Sequence, residues 1–149
     1  MKIAIGSDER TAVTDAVIES VRKRGYEVVV FGPLDGREEL WPSVARNVAE
    51  SVAGGAADEG ILFCWTGTGV SIAANKVPGI RAALCDDAET ARGARPWNAA
   101  NVLCLSLRRT SEVMAREILD AWFATHYEAN ELDNTCLGQV DAIEEAYSL

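Results

Sequence analysis

Paired cysteine motifs, clusters of basic residues and long apolar runs are all missing from this 149-residue chain. No stretch approaches the ~20 apolar residues that a membrane-spanning helix needs. The opening MKIAIGSDER meets charge before a signal-peptide core could form. The four cysteines, at 64, 85, 104 and 136, show no C-x-x-C spacing, and His126 is the single histidine. That scarcity argues against a zinc site or a disulfide framework and predicts a metal-free protein with reduced thiols in the cytoplasm. Basic residues number 14 against 23 acids, a formal net charge of -9. With no Lys/Arg patch to neutralise phosphates, neither a nucleic acid nor an anionic membrane surface is an expected partner. Apolar residues at 48% and charged residues at 25% fit a folded globular chain. Its length suits one domain, 1–149, able to bury roughly 70% of the surface of the unfolded chain.

What is present is alternation. Short apolar runs at Lys2–Gly6, Val28–Phe31, Ile61–Cys64, Ala82–Cys85 and Val102–Leu105 read as buried strands. Between them, Val13, Val17 and Val21 share a helical face that stops at Gly25, and Pro42 opens a helix carrying Val44, Val48 and Val52. Ser111 is placed to cap a helix whose Met114, Ile118 and Trp122 share a face, and a further helix is predicted over Val70–Asn75. Asp86-Asp87 reads as a helix N-cap with its first-turn acid. The stretch 127–138 (YEANELDNTCLG) is polar and weakly patterned, which predicts a loop before a short last helix, Gln139–Ala146, with His126 a solvated residue of that helical end. Strands alternating with helices imply right-handed crossovers and a five-stranded parallel sheet covered on both faces, an α/β sandwich of three layers.

In such a sheet ligands bind beyond the carboxyl ends of the strands. That rule selects Gly6-Ser7-Asp8-Glu9, Cys64 through Gly69, Asp86-Asp87, and Ser106-Leu107-Arg108. The segment Thr66–Ser71 (TGTGVS) joins a strand to a helix, where converging N–H groups and the helix dipole can hold an oxyanion. Cys64 stands at its entrance, where a thiolate is favoured; the alternative is a small buried hydrophobe beside a turn. Gly67 and Gly69 with Asp86 imitate a dinucleotide fingerprint, but Ile72 occupies the third glycine position and the motif follows the third strand.

CWTGTGVSIAANK at Cys64–Lys76, VPGIRAALCDD after it, and WNAANVL at Trp97–Leu103 closely resemble the ribose-5-phosphate isomerase B and galactose-6-phosphate isomerase family. That family carries C-G-T-G-x-G-x-S-I-A-A-N-K, G-I-R-A and H-N-D-A-N, and IGSDE near the N-terminus is similar to its G-S-D-H. The resemblance implies a Rossmann-like domain forming a homodimer or dimer of dimers, with sites shared between subunits and residues 127–149 reaching the partner. It implies interconversion of aldose and ketose phosphates through a cis-enediolate, without metal or cofactor. By position, Cys64 matches the base; Thr66, Gly67, Gly69 and Ser71 match the loop that stabilises the enediolate oxygens. Asp8 matches the acid that handles hydroxyl groups, Asn98 the amide of the H-N-D segment, and Arg108 an arginine on the phosphate.

The chain departs from the family pattern in four places. Trp97 replaces the histidine assigned to ring opening, Glu9 replaces the histidine facing the phosphate, and Trp65 replaces the glycine after the base. The C-terminal G-G-R-x-x-x-R segment aligns with Asp133 through Gln139, leaving Thr135 and Gln139 where both arginines belong. A dianion loses cationic partners and meets a carboxylate, while Trp65 and Trp97 offer stacking faces. Two blander roles stay open: Trp97 as an interface packing residue, Glu9 as a solvated one. The expected activity is an aldose–ketose isomerase with an altered sugar or sugar-phosphate substrate. The alternatives are a silent sugar- or partner-binding relative, and an ordinary ribose-5-phosphate isomerase whose phosphate site is rebuilt around Arg108, Arg92 or Arg109.

Overall fold

Five apolar runs become the five strands of one sheet in the computed structural model, which describes residues 1–149. Strands β1 (Lys2–Ser7), β2 (Glu27–Phe31), β3 (Glu59–Cys64), β4 (Ala82–Leu84) and β5 (Val102–Ser106) pair in the order β2-β1-β3-β5-β4, every pair parallel. Alternation sorts their side chains onto two faces. Ile3, Ile5, Ile61, Phe63, Leu103 and Leu105 pack against α1 (Ala12–Lys23), α4 (Ala88–Asn98) and α5 (Glu112–Ala124). Ala4, Leu62, Cys64, Val102 and Cys104 pack against α2 (Trp41–Ala53) and α3 (Thr68–Ala74). The result is the expected three-layer α/β/α sandwich. A helix that crosses between parallel strands must run antiparallel to them, so each of these helices starts near the carboxyl ends of the strands and finishes at the amino ends.

Local signals set the helix starts. Thr11 and Thr14 exchange capping bonds at α1, Asp87 accepts from the Thr90 N–H at 2.7 Å to cap α4, and Ser111 accepts from Met114 to cap α5. β4 is an edge strand, and Asn75 covers its exposed side. The Asn75 Nδ2 donates to the Ala82 carbonyl at 2.9 Å and its Oδ1 accepts from the Ala82 N–H at 2.8 Å, as a neighbouring strand would.

The C-terminal region differs from expectation. A single helix, α6 (Glu131–Tyr147), takes in the short last helix and all of the predicted loop except 127–130. Asn130 starts it by accepting from the Asp133 N–H at 2.9 Å, and Glu131 and Asp133 sit in its first turn, where the dipole favours acids. None of its 17 residues is buried, so no core imposed the apolar period that announces a helix. It rests mainly along α4. His126 lies in the connector between α5 and α6 and belongs to neither helix. No helix is long and apolar enough to cross a membrane.

Candidate active site

Asp8, Cys64 and Arg108 leave three consecutive strands of the sheet, β1, β3 and β5, at their carboxyl ends. Backbone bonds fasten these tips together. The N–H groups of Leu107 and Arg108 donate to the carbonyls of Cys64 and Trp65, both at 3.0 Å, and the Ser106 hydroxyl also donates to the Trp65 carbonyl at 3.0 Å. Cys64 therefore stands in a rigid frame, at 5% exposure, with Trp65 projecting into solvent at 61%. On the β1 side, the Ser7 hydroxyl donates to the Glu9 carbonyl at 2.6 Å and accepts from the Glu9 N–H at 3.2 Å, which holds Asp8 at the top of a tight turn. Burial pushes the Asp8 carboxyl above the ordinary carboxylate range, its own backbone hydrogen bond opposes this, and the Glu9 charge adds to the rise.

The glycine loop is shorter than expected, because α3 begins at Thr68 and so includes Gly69 and Ser71. Gly67 caps it in the left-handed region at φ 76°; a Cβ there would stand 2.6 Å from Leu84 and 3.0 Å from the Leu105 backbone. Only glycine serves both demands. Ser71 N–H makes the first bond of the helix, to the Gly67 carbonyl at 3.3 Å, so the preceding amides of Thr68, Gly69 and Val70 are free of helical partners. The Thr66 and Thr68 hydroxyls pair at 2.7 Å beside them. The Ser71 side chain lies near the Cys104 thiol. Of the other thiols at this end of the sheet, Cys85 is pushed up to about 12 by burial and by the carboxylates of Asp87 and Asp86, and burial raises Cys104 further.

Cations are few. Arg109 faces Asp86 at 3.7 Å and Arg92 pairs with Glu89, so two of the arginines considered for a phosphate are already engaged by carboxylates. Glu9 and Arg108 form no ion pair with each other or with any other residue, and both are exposed. Trp41 is a neighbour that the sequence pattern did not single out. It opens α2, is 40% exposed, and its ring lies 3.1 Å from where a Cβ on Gly69 would be. A Trp-Pro pair at a helix start, outside the valine stripe of α2, was the available signal.

Asn98 and Trp97 are not brought to Cys64. They end α4, which runs from the carboxyl edge of β4 to the amino edge of β5, and an 11-residue helix is about 16 Å long. The Trp97 ring folds back over Gly93, where a Cβ would stand 2.6 Å from it. Both residues line a concavity of about 1050 Å³ between α4, β4 and α6, with Leu84, Leu137, Val140 and Ile143 on its apolar walls.

The sequence model of the Ribose/Galactose Isomerase family matches residues 3–137. Ribose-5-phosphate isomerase B of Escherichia coli is 40% identical over 128 residues, covering 85% of this chain and 86% of that protein. D-erythrulose-4-phosphate isomerase of Pectobacterium atrosepticum is 35% identical over 130 residues, 86% of each chain. Among solved structures, ribose-5-phosphate isomerase B of Clostridium thermocellum superposes with a TM-score of 0.93 at 41% identity, covering 99% of this chain and 100% of its own.

Proposed function

The chain belongs to the ribose and galactose isomerase family and is an aldose–ketose isomerase; from that premise we propose that Cys64 is its base and that its substrate is not a phosphate dianion. Cys64 takes the proton from C2 of the open-chain aldose, and the electron pair passes into a cis-enediolate. The same proton returns to C1 while Asp8, protonated more readily than an ordinary carboxylate, exchanges protons with the two oxygens. The unpaired amides of α3 and the Thr66 hydroxyl support the developing oxyanion. Asn98 and Trp97, delivered to the opposite edge of the sheet, reach Cys64 only from a second copy, which supports a homodimer or a dimer of dimers with shared sites. The apolar groove that these residues line is the surface that the second copy would cover.

The observation that carries the substrate reading is the charge of the C-terminal region. Residues 117–149 contain no Lys or Arg, so no shift of alignment restores the arginines that the family places there. Five acids, Glu131, Asp133, Asp141, Glu144 and Glu145, lie on α6 instead. Each charge-assisted bond that is lost weakens binding by about 1.5–3 kcal/mol. Arg108, without a carboxylate partner, suits at most a single negative charge. A relative named for a four-carbon ketose phosphate supports a short sugar.

The test compares kcat/KM for ribose 5-phosphate, D-erythrose and free pentoses in wild type, Glu9→His and Cys64→Ala. Unphosphorylated sugars should lead in wild type, Glu9→His should recover ribose 5-phosphate, and Cys64→Ala should lose turnover by about three orders of magnitude while staying folded. Efficient wild-type use of ribose 5-phosphate sinks the substrate reading; a fully active Cys64→Ala moves the base to another residue.

A further inference from the structure

Asn98 ends α4 where that helix has two intrinsic weaknesses. Pro96, in its last turn, has no N–H to donate, and its ring crowds the carbonyl one turn back. Ala99, which follows Asn98, is the only non-glycine residue of the chain with positive φ, at 46°. Its N–H donates to the Arg95 carbonyl at 3.0 Å, the single bond that defines a left-handed helix ending, and the Ala100 N–H reaches the Ala94 carbonyl at 3.1 Å. Such endings take glycine at this position, because a Cβ disfavours the left-handed turn.

Two guanidinium groups hold the turn from outside. The Arg95 Nη1 donates to the Ala100 carbonyl, while the rest of that side chain is committed to the core, with Nε on the Thr125 carbonyl at 3.1 Å and Nη2 on Glu59. Arg81 has the simpler task. It precedes β4, its N–H is fixed by Asn101 Oδ1 at 2.8 Å, and its one side-chain hydrogen bond runs from Nε to the Ala99 carbonyl at 2.9 Å. Asn101 is in turn tied to the Gly79 carbonyl at 2.9 Å. The anchor is thus braced on the chain that enters the edge strand.

We infer that Arg81 is a positioning residue for the isomerisation: by holding Ala99 in the left-handed conformation it sets the direction in which Asn98 leaves α4. Arg81 touches no reacting atom. The inference rests on the reading that Asn98 acts in a site shared with Cys64 of the partner subunit, but the clamp itself can be tested without turnover.

Hydrogen exchange at the Ala99 and Ala100 amides, and kinetics with D-erythrose and ribose 5-phosphate, are compared in wild type, Arg81→Met, Ala99→Gly and the double variant. In the alanine background, Arg81→Met should speed exchange at both amides by about tenfold or more, and lower kcat comparably with KM within about twofold. Glycine adopts the turn unaided, so in the Ala99→Gly background the same change should alter either quantity by less than about threefold. Equal effects in the two backgrounds, or unchanged exchange in Arg81→Met, would overturn the clamp. If neither sugar is turned over, the substrate reading is what fails, and the exchange cycle still decides whether Arg81 clamps Ala99.

Discussion

Asp8 carries the chemistry of a single residue into a measurable property of the fold. Its carboxyl holds a proton more tightly in the folded chain than in the unfolded one, chiefly because it is desolvated above β1. Stability contributed by that proton is complete at low pH. It is lost as pH climbs past the ordinary carboxylate range, and levels off once Asp8 is ionised. Asp8→Asn removes this slope. The stability of wild type relative to Asp8→Asn should therefore fall as pH rises out of the ordinary carboxylate range, read from urea midpoints at each pH. A difference that rises instead would mean that the fold favours the anion and that Asp8 is a poor proton donor to a hydroxyl group.

At the scale of elements, α4 shows how a weak helix is kept in place. Pro96 interrupts it, yet Arg95 ties it to the core through Glu59, which opens β3, and through the face of Trp122, whose ring centre is 4.6 Å away. The Trp122 Nε1 donates to the other Glu59 oxygen at 2.7 Å, and the two charged side chains are only 9% and 10% exposed. Arg95→Met strands a buried carboxylate and should cost about 3–5 kcal/mol in urea unfolding. Adding Glu59→Gln should return part of that loss, because an uncharged amide needs less compensation. A cost under about 1 kcal/mol would show that water reaches Glu59. The strands were legible because residues buried on both faces form unbroken apolar runs, and the tips followed from the parallel topology. α6 was not, since a helix with no buried residue has no reason to repeat its apolar positions. The α4 ending was hidden for another reason: nothing in WNAAN marks an alanine as left-handed.

For the whole molecule, the decisive fact is that the two halves of the expected site lie at opposite edges of one sheet. Asp8, Cys64 and Arg108 were legible from the rule that ligands bind at carboxyl ends; Asn98 and Trp97 came only from resemblance, and their place on α4 explains why. A two-fold pairing would make each site from both chains. Mixing inactive Cys64→Ala with inactive Asn98→Ala should then restore roughly a quarter of wild-type activity, since half of randomly mixed dimers hold one intact site. Activity that stays at the level of the separate variants after subunit exchange would place Asn98 outside the shared site.

The Asn75 amide on Ala82 also bears on how the protein survives at high concentration. Open sheet edges template the growth of disordered precipitates, and short edges with their hydrogen-bonding groups occupied resist it. β4 has three residues, and the Ala82 groups that could recruit a foreign chain are spent on Asn75. At this edge copies can then meet through helices and grooves, where shape selects the partner, but not by adding strand to strand. Asn75→Ala should leave the Cys64 frame intact and yet shorten the shelf life of concentrated stock, with light scattering rising over days and thioflavin-positive material appearing first in the variant.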